Sequence, residues 1–273
     1  MKIPFAKMSG SGNDFILIDH RTPFLSEDQM KGFARKVCRR KFSIGADGLI
    51  LIEPSTKADF GWRFFNADGS EAEMCGNGGR CVARFAYVKG IAPAQLKFET
   101  RAGIISAQVD GKRVTLEMVK PHSLKIDEKI SIEGKELSVS SINTGVPHAI
   151  LFLKEIEQID VLEMGRVIRF HPHYAPSGVN ANFVKVEGES RLSVRTYERG
   201  VEDETLACGT GVVASALISA IKGLVKSPVS VKTRGGEILT VHFEMEGDQI
   251  KKVFFEGEVH LIYEGEMWEE AYL

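Results

Sequence analysis

The residues of this 273-residue chain with most chemistry to offer are its four cysteines, Cys38, Cys75, Cys81 and Cys208. Cys75 and Cys81 bracket three glycines, an asparagine and an arginine in "MCGNGGRC", residues 74–81. Such a stretch could ligate a metal, close a disulfide, cradle a phosphate or hold a reactive thiol. A structural zinc site needs close pairs of Cys or His. Here no second pair exists, and His171 and His173 form an isolated His-Pro-His expected in a surface turn, so no metal is expected. Neither the dinucleotide nor the P-loop glycine pattern completes. Gly76 and Gly78 are followed by Cys81 where a third glycine belongs, and Gly209 and Gly211 by Ala214. Nucleotide binding is weakly supported. Four cysteines in a chain of this length do not make a disulfide framework.

The thiol reading gains from an internal echo. Cys75-Gly-Asn-Gly78 resembles Cys208-Gly-Thr-Gly211 at an offset of 133 residues. The same offset relates Thr100-Arg101-x-Gly103 to Thr233-Arg234-x-Gly236, Gly12 to Gly145, and Gly45 to Gly178, which sets Asp47 opposite Asn180. Four motif clusters in one order, each beside an expected strand, imply two homologous halves meeting near 119–125. Only Cys75 has a cysteine counterpart, Cys208. Cys38 falls in a helical segment and Cys81 aligns with Ala214, so both are expected to be small buried side chains.

Cys75 and Cys208 each precede Gly-x-Gly at an expected helix start. There the first backbone N–H groups lack helical partners and the helix carries partial positive charge. The location favours a thiolate, and equally an anionic ligand such as a carboxylate. Two such units facing one ligand would put a thiol on either side of one carbon. One cysteine, as thiolate, removes a proton from one face, and the other, as thiol, returns a proton to the opposite face. The electron-rich intermediate is held by the helix-terminal amides as in an oxyanion hole. Inversion runs in both directions, so the two bases must be alike in kind, which a duplicated half supplies.

The elements that must carry these residues read as mostly strands. "FILID" (15–19), "GLILIE" (48–53), "GWRFFN" (61–66), "LKFET" (96–100) and "RVTLEMV" (113–119) are apolar, often alternating and bounded by turn residues. Further on come 148–153, 182–187, 191–197, 229–233, 237–243 and one long run at 251–264. Four helices are expected. One begins at Ser26 with Gln29 in capping-box spacing, and one spans 155–170. Two start at 75–78 and 208–211 and stop at Gly90 and Gly223. Many strands and few helices indicate α+β.

Bulk properties exclude other classes. A hydrophobic fraction of 43% and a charged fraction of 26% are ordinary for a globular chain. A net charge of −2 with scattered Lys and Arg favours neither nucleic acid nor an acidic membrane surface. The apolar run at 212–221 is too short to span a bilayer, and the N-terminus lacks the apolar stretch of a signal peptide. A cytoplasmic location is expected, with cysteines kept reduced.

At "KMSGSGNDF" (7–15), "FNADGSEAEMCGNGGRC" (65–81), "GVPH" (145–148), "GVNANF" (178–183) and "YERGVEDETLACGTG" (197–211), the chain resembles the diaminopimelate epimerases, cofactor-independent amino-acid racemases. The resemblance covers nearly the whole chain. It implies interconversion of LL- and meso-2,6-diaminoheptanedioate without pyridoxal phosphate or metal, in lysine and peptidoglycan precursor synthesis. It implies two pseudo-symmetric lobes, 1–118 with 263–273 and 119–262, each a curled, mainly antiparallel, barrel-like sheet around a central helix. The site would lie in the cleft between them, and the protein would be a homodimer.

By the same resemblance Cys75 and Cys208 are the acid/base pair, with His148 and Glu198 beside the reacting amino-acid centre. Glu198 would bind the ammonium. Asn13, Asn66, Asn180 and Arg199 match positions that bind the distal end, Arg199 through its planar fork. Gly76, Asn77, Gly209 and Thr210 would offer donors to the carboxylate at the reacting centre. The chain departs from the family at Val146, where asparagine is common. Asn143 is a nearby candidate to compensate. A racemase of proline, hydroxyproline or histidine is the alternative, though "YERG" argues against the proline branch. A non-enzymatic or redox binding protein using Cys75 and Cys81 is a reading of a different class.

Overall fold

The computed structural model describes residues 2–132, 134–247 and 249–273. The fold is α+β, rich in strand, with a curled sheet that does not close. The chain divides into two compact units, Met1–Leu116 with Gly257–Leu273, and Glu117–Glu256.

In the first unit, β1 (Ile3–Gly10) and β2 (Asn13–Asp19) form a hairpin. Its turn residues Ser11 and Gly12 both have positive φ, 54° and 83°. Two successive left-handed residues match the twist of the flanking strands. The turn sets Asn13 opposite Gly10. The helix α1 (Glu27–Val37) then crosses over to β3 (Gly48–Glu53), which runs parallel to β2. Its N-terminus carries the expected capping box of Ser26 and Gln29. β4 (Phe60–Asn66) and the short β5 (Glu71–Ala72) continue antiparallel and lead into α2 (Gly76–Val88). β6 (Gln95–Thr100) lies parallel to β4 and opens a meander with β7 (Gly103–Asp110) and β8 (Arg113–Glu117).

The second unit repeats the succession. β9 (His122–Ile132) pairs with β10 (Lys135–Asn143), which pairs with β11 (Pro147–Phe152). The helix α3 (Val161–Arg169) crosses over to β12 (Asn180–Gly188), parallel to β11. β13 (Arg191–Glu198) and β14 (Asp203–Thr205) lead into α4 (Gly209–Ile221). β15 (Val229–Lys232) lies parallel to β13, followed by β16 (Ile238–Glu246) and β17 (Gln249–Glu258). The chain then returns to the first unit as β18 (His260–Met267), antiparallel to β1. The offset of 133 that links the two cysteines also links both ends of α2 to both ends of α4.

These two helices are the cores of their units. α4 is buried from Gly211 to Ser219, and its sequence is apolar all round, as a helix without a solvent face must be. Its two serines avoid unpaired hydroxyls by donating to the carbonyls four residues back, Ser215 to Gly211 and Ser219 to Ser215, at 2.7 Å each. Val212, Val213, Leu217 and Ile218 pack among Ile150, Val184, Val231 and Phe255. Each such side chain contributes about 1.5–3 kcal/mol by leaving water. α2 is likewise buried from Asn77 to Ala83 and at Phe85 and Ala86, so each helix is packed within its unit up to the turn that carries its cysteine.

Three expectations need correction. The helix expected at 155–170 begins at Val161, because Asp160 caps it by accepting from the Glu163 N–H at 2.9 Å. The run 251–264 is two strands, broken at Val259, whose N–H goes to the Lys112 carbonyl. β1, β5, β7, β9, β10 and β14 were not expected as strands. β9 is exposed along most of its length and so carries few apolar residues to signal it.

Candidate active site

Cys75 and Cys208 are the N-cap residues of α2 and α4, both with extended backbone. Cys75 Sγ accepts from the Gly78 N–H at 3.5 Å. Cys208 Sγ lies 3.6 Å from Thr210 Oγ1, and the residue is 6% exposed. Each thiol thus stands before the N-terminal amides of a helix of 13 residues, where negative charge is favoured. The other two cysteines differ in kind. Cys38 is buried beside α1 among Phe33, Val37 and Phe65, and burial pushes its thiol up to about 12. Cys81 is fully buried on α2. Cys38 is the C-cap of α1 and Cys81 lies within α2, so neither stands at a helix N-terminus.

Around Cys75 the first unit builds a polar chain. Asn13, the first residue of β2, donates to Asp47 Oδ2 at 3.1 Å and accepts from Asn77 Nδ2 at 2.7 Å. Asn77 Oδ1 in turn accepts from Arg80 Nη2 at 2.7 Å. Arg80 is 0% exposed and also donates to Ser11 Oγ in the β1–β2 turn. Asp47 takes a further bond from Arg40 Nη2 at 2.9 Å. The side chains of Asn13 and Asn77 are therefore held at both ends. Asn66 ends β4, is exposed, and donates to Ser70 Oγ at 3.0 Å. It belongs to the same unit.

Around Cys208 the second unit gathers His148, Asn180, Glu198 and Arg199. His148 on β11 stands directly opposite Asn180 on β12 in the parallel register. Asn180 Oδ1 accepts from the Arg199 N–H at 2.6 Å, which fixes the chain just past β13. The Arg199 guanidinium reaches the Ser177 carbonyl at 3.2 Å. Glu198 lies beside Cys208. Burial raises its acid pKa above the usual carboxylate range, against lowering contributions from the Thr205 hydroxyl and the Cys208 thiol. His148 is fully buried, and burial, helped by the Arg199 charge, pulls it down to about 3, so the ring is neutral. Gly209 and Thr210 form the first turn of α4, and the Thr210 carbonyl accepts from Thr144 Oγ1 at 2.9 Å.

The departure at Val146 has a local consequence. Asn143 Oδ1 accepts from the Gly145 N–H at 2.9 Å and closes the β10–β11 turn. That oxygen is committed to the turn, as Asn side chains in such turns commonly are.

Three residues that position the site were missed in the sequence. Asp47 and Arg80 anchor Asn13 and Asn77. Asn182, two residues beyond Asn180, is buried among His148, Thr196 and the first turn of α4. Asp47 is signalled by the 133-residue offset, which sets it opposite Asn180, while Arg80 and Asn182 lie inside the motifs at 65–81 and 178–183 with no role marked for them.

The chain is similar to known proteins over nearly its whole length. Residues 5–123 and 140–262 match the model of the family described as diaminopimelate epimerase. A diaminopimelate epimerase of Aquifex aeolicus is 48% identical over 279 residues, spanning 98% of each chain. One of Hydrogenobaculum sp. is 46% identical, over 95% of this chain and 96% of that one. Among solved structures, a Bacillus anthracis phenazine biosynthesis protein of the PhzF family superposes with a TM-score of 0.76 at 18% identity. It covers 98% of this chain and 99% of that one, a likeness of fold.

Proposed function

The chain belongs to the diaminopimelate epimerase family, an isomerase family, and we propose that its epimerisation runs through Cys75 and Cys208. One of the two, as thiolate, takes the Cα proton of LL-2,6-diaminoheptanedioate. The S–H bond forms as the C–H bond breaks, and the electron pair moves into the adjacent carboxylate. The other, as thiol, gives its proton to the opposite face of the carbon, which yields the meso isomer. Proton count is conserved, and the enzyme is left with thiol and thiolate exchanged, ready for the reverse reaction.

What supports this reading is the equivalence of the two thiols. They are the N-caps of two helices with the same length, the same Cys-Gly-x-Gly start and one sequence offset. The carboxylate that gains charge is met by the amides at Gly76, Asn77, Gly209 and Thr210. Glu198 receives the ammonium of the reacting centre and stands beside Cys208. Asn13, Asn66, Asn180 and Arg199 receive the distal amino-carboxylate end. The product serves lysine and peptidoglycan precursor synthesis, and the working form is a cytoplasmic homodimer.

The test is incorporation of deuterium at Cα of LL-diaminopimelate in heavy water, with reduced protein and no added pyridoxal phosphate. Exchange accompanied by the meso isomer is the expected result. Exchange confined to proline, hydroxyproline or histidine would transfer the mechanism to a different substrate. No exchange with any of them would overturn it.

A further inference from the structure

Asn182 is 0% exposed and lies at the middle of a closed hydrogen-bond set. Its Nδ2 is 3.1 Å from the Ala149 carbonyl, 3.3 Å from the Asn180 carbonyl and 3.1 Å from His148 Nδ1. Its Oδ1 is 2.9 Å from Thr196 Oγ1. The nitrogen and oxygen of an amide are told apart only by their partners. Here the partners decide. Backbone carbonyls accept and never donate, so the atom facing two of them must be the NH₂. Turning the amide over would set its oxygen against two carbonyl oxygens in a buried place. The Thr196 hydroxyl can then donate to Oδ1, which agrees with the same orientation.

The consequence falls on His148. Its Nδ1 faces an N–H donor and must offer a lone pair. A neutral imidazole with a lone pair on Nδ1 carries its single proton on Nε2. Nε2 is buried and has no protein partner among the described residues. A buried N–H without an acceptor is costly, so it is the bonds on the Nδ1 side that hold this tautomer.

We propose that Asn182 is a positioning residue that fixes His148, which stands beside Asn180 on the neighbouring strand, as the Nε2–H tautomer. Burial agrees, because it disfavours the imidazolium that a proton-accepting role would create. The tautomer follows from the geometry alone. Its effect on turnover rests on the epimerase reading above.

The test is the side-chain ¹⁵N signature of His148 in the whole protein, assigned by its loss in His148→Gln. The expected wild-type spectrum has a pyrrole-type Nε2 and a pyridine-type Nδ1. Asn182→Asp replaces the donor by a carboxylate oxygen, which draws the proton to Nδ1. The signature should change accordingly, and kcat should fall about tenfold or more with KM little altered. Should Asn182→Asp not fold, Asn182→Ala removes the constraint, and the proton should distribute over both nitrogens. A wild-type ring protonated on Nδ1, or a signature that neither substitution moves, would overturn the proposal. A protein with the expected tautomer but no exchange of the substrate proton would instead count against the epimerase chemistry.

Discussion

Gly211 on α4 and Asn182 on β12 occupy one space: a Cβ at position 211 would lie 2.4 Å from Asn182 Oδ1 and 3.3 Å from Cys208 Sγ. The counterpart in the first unit, Gly78, is less confined. There a Cβ would meet Ile50 Cδ1 at 3.3 Å and Cys75 Cβ at 3.5 Å. Glycines at the same place in two repeated helices thus do different jobs. Gly78→Ala should change stability by less than about 1 kcal/mol, because helix propensity offsets mild crowding. Gly211→Ala should cost about 2–4 kcal/mol by displacing a buried amide, and should lower kcat with it. Denaturant melts and turnover of the two variants, side by side, check this. Equal behaviour would show that Asn182 gives way easily.

The two-thiol mechanism separates the cysteines sharply. Cys75→Ser and Cys208→Ser should each slow net epimerisation by about a hundredfold or more. Cys81→Ala should keep turnover and lose only packing, since Cys81 Sγ sits against Gly10 and the residue is fully buried. A redox protein built on Cys75 and Cys81 would instead be disabled by Cys81→Ala and indifferent to Cys208→Ser. Initial rates on LL-diaminopimelate for the three variants decide between them.

Glu198 gives a prediction in pH. Burial raises its pKa, and the Thr205 hydroxyl pulls against that by favouring the charged form. Thr205→Val removes the opposing contribution, so Glu198 should hold its proton to higher pH. The acid limb of kcat/KM should move upward in Thr205→Val and stay in place in Thr205→Ser. An acid limb indifferent to both would mean that the Glu198 carboxylate is not required.

His148 gives a prediction in stability. Its folded pKa, about 3, lies below the ordinary value of 6.5. The unfolded chain therefore binds more protons between those values. The contribution of the buried neutral ring is complete above the ordinary value and declines as pH falls toward the folded one. The slope for one such group is about 1.4 kcal/mol per pH unit at most. Unfolding free energies of wild type and His148→Gln should converge by about 2 kcal/mol between about pH 7 and about pH 5. A constant gap would show that the ring titrates alike in the native and unfolded states, as a solvated ring does.

Much of this was legible along the chain because it is local or periodic. The two helix starts are written in Cys-Gly-x-Gly, and α2 and α4 end just before the glycines that read as stops, Gly90 and Gly223. The strands that bury one or both faces carry the apolar pattern that burial requires, as in β3. β9 escaped because an exposed strand needs no such pattern. The helix expected at 155–170 was overlong because apolar spacing continues past the point where Asp160 caps it.

The repeat itself, and with it the equivalence of Cys75 and Cys208, is a property of the sequence alone, since identities at one offset need no coordinates. Which residues hold the site is not. Arg80 and Asn182 look like ordinary polar residues in a row. Only the fold sets Arg80 against Ser11 and Asn77, and Asn182 between two carbonyls, a threonine hydroxyl and the His148 ring. A hydrogen bond is directional and reaches about 3 Å, so its partners are chosen by tertiary packing. The sequence names the groups that can move a proton. The fold decides which neighbours hold them.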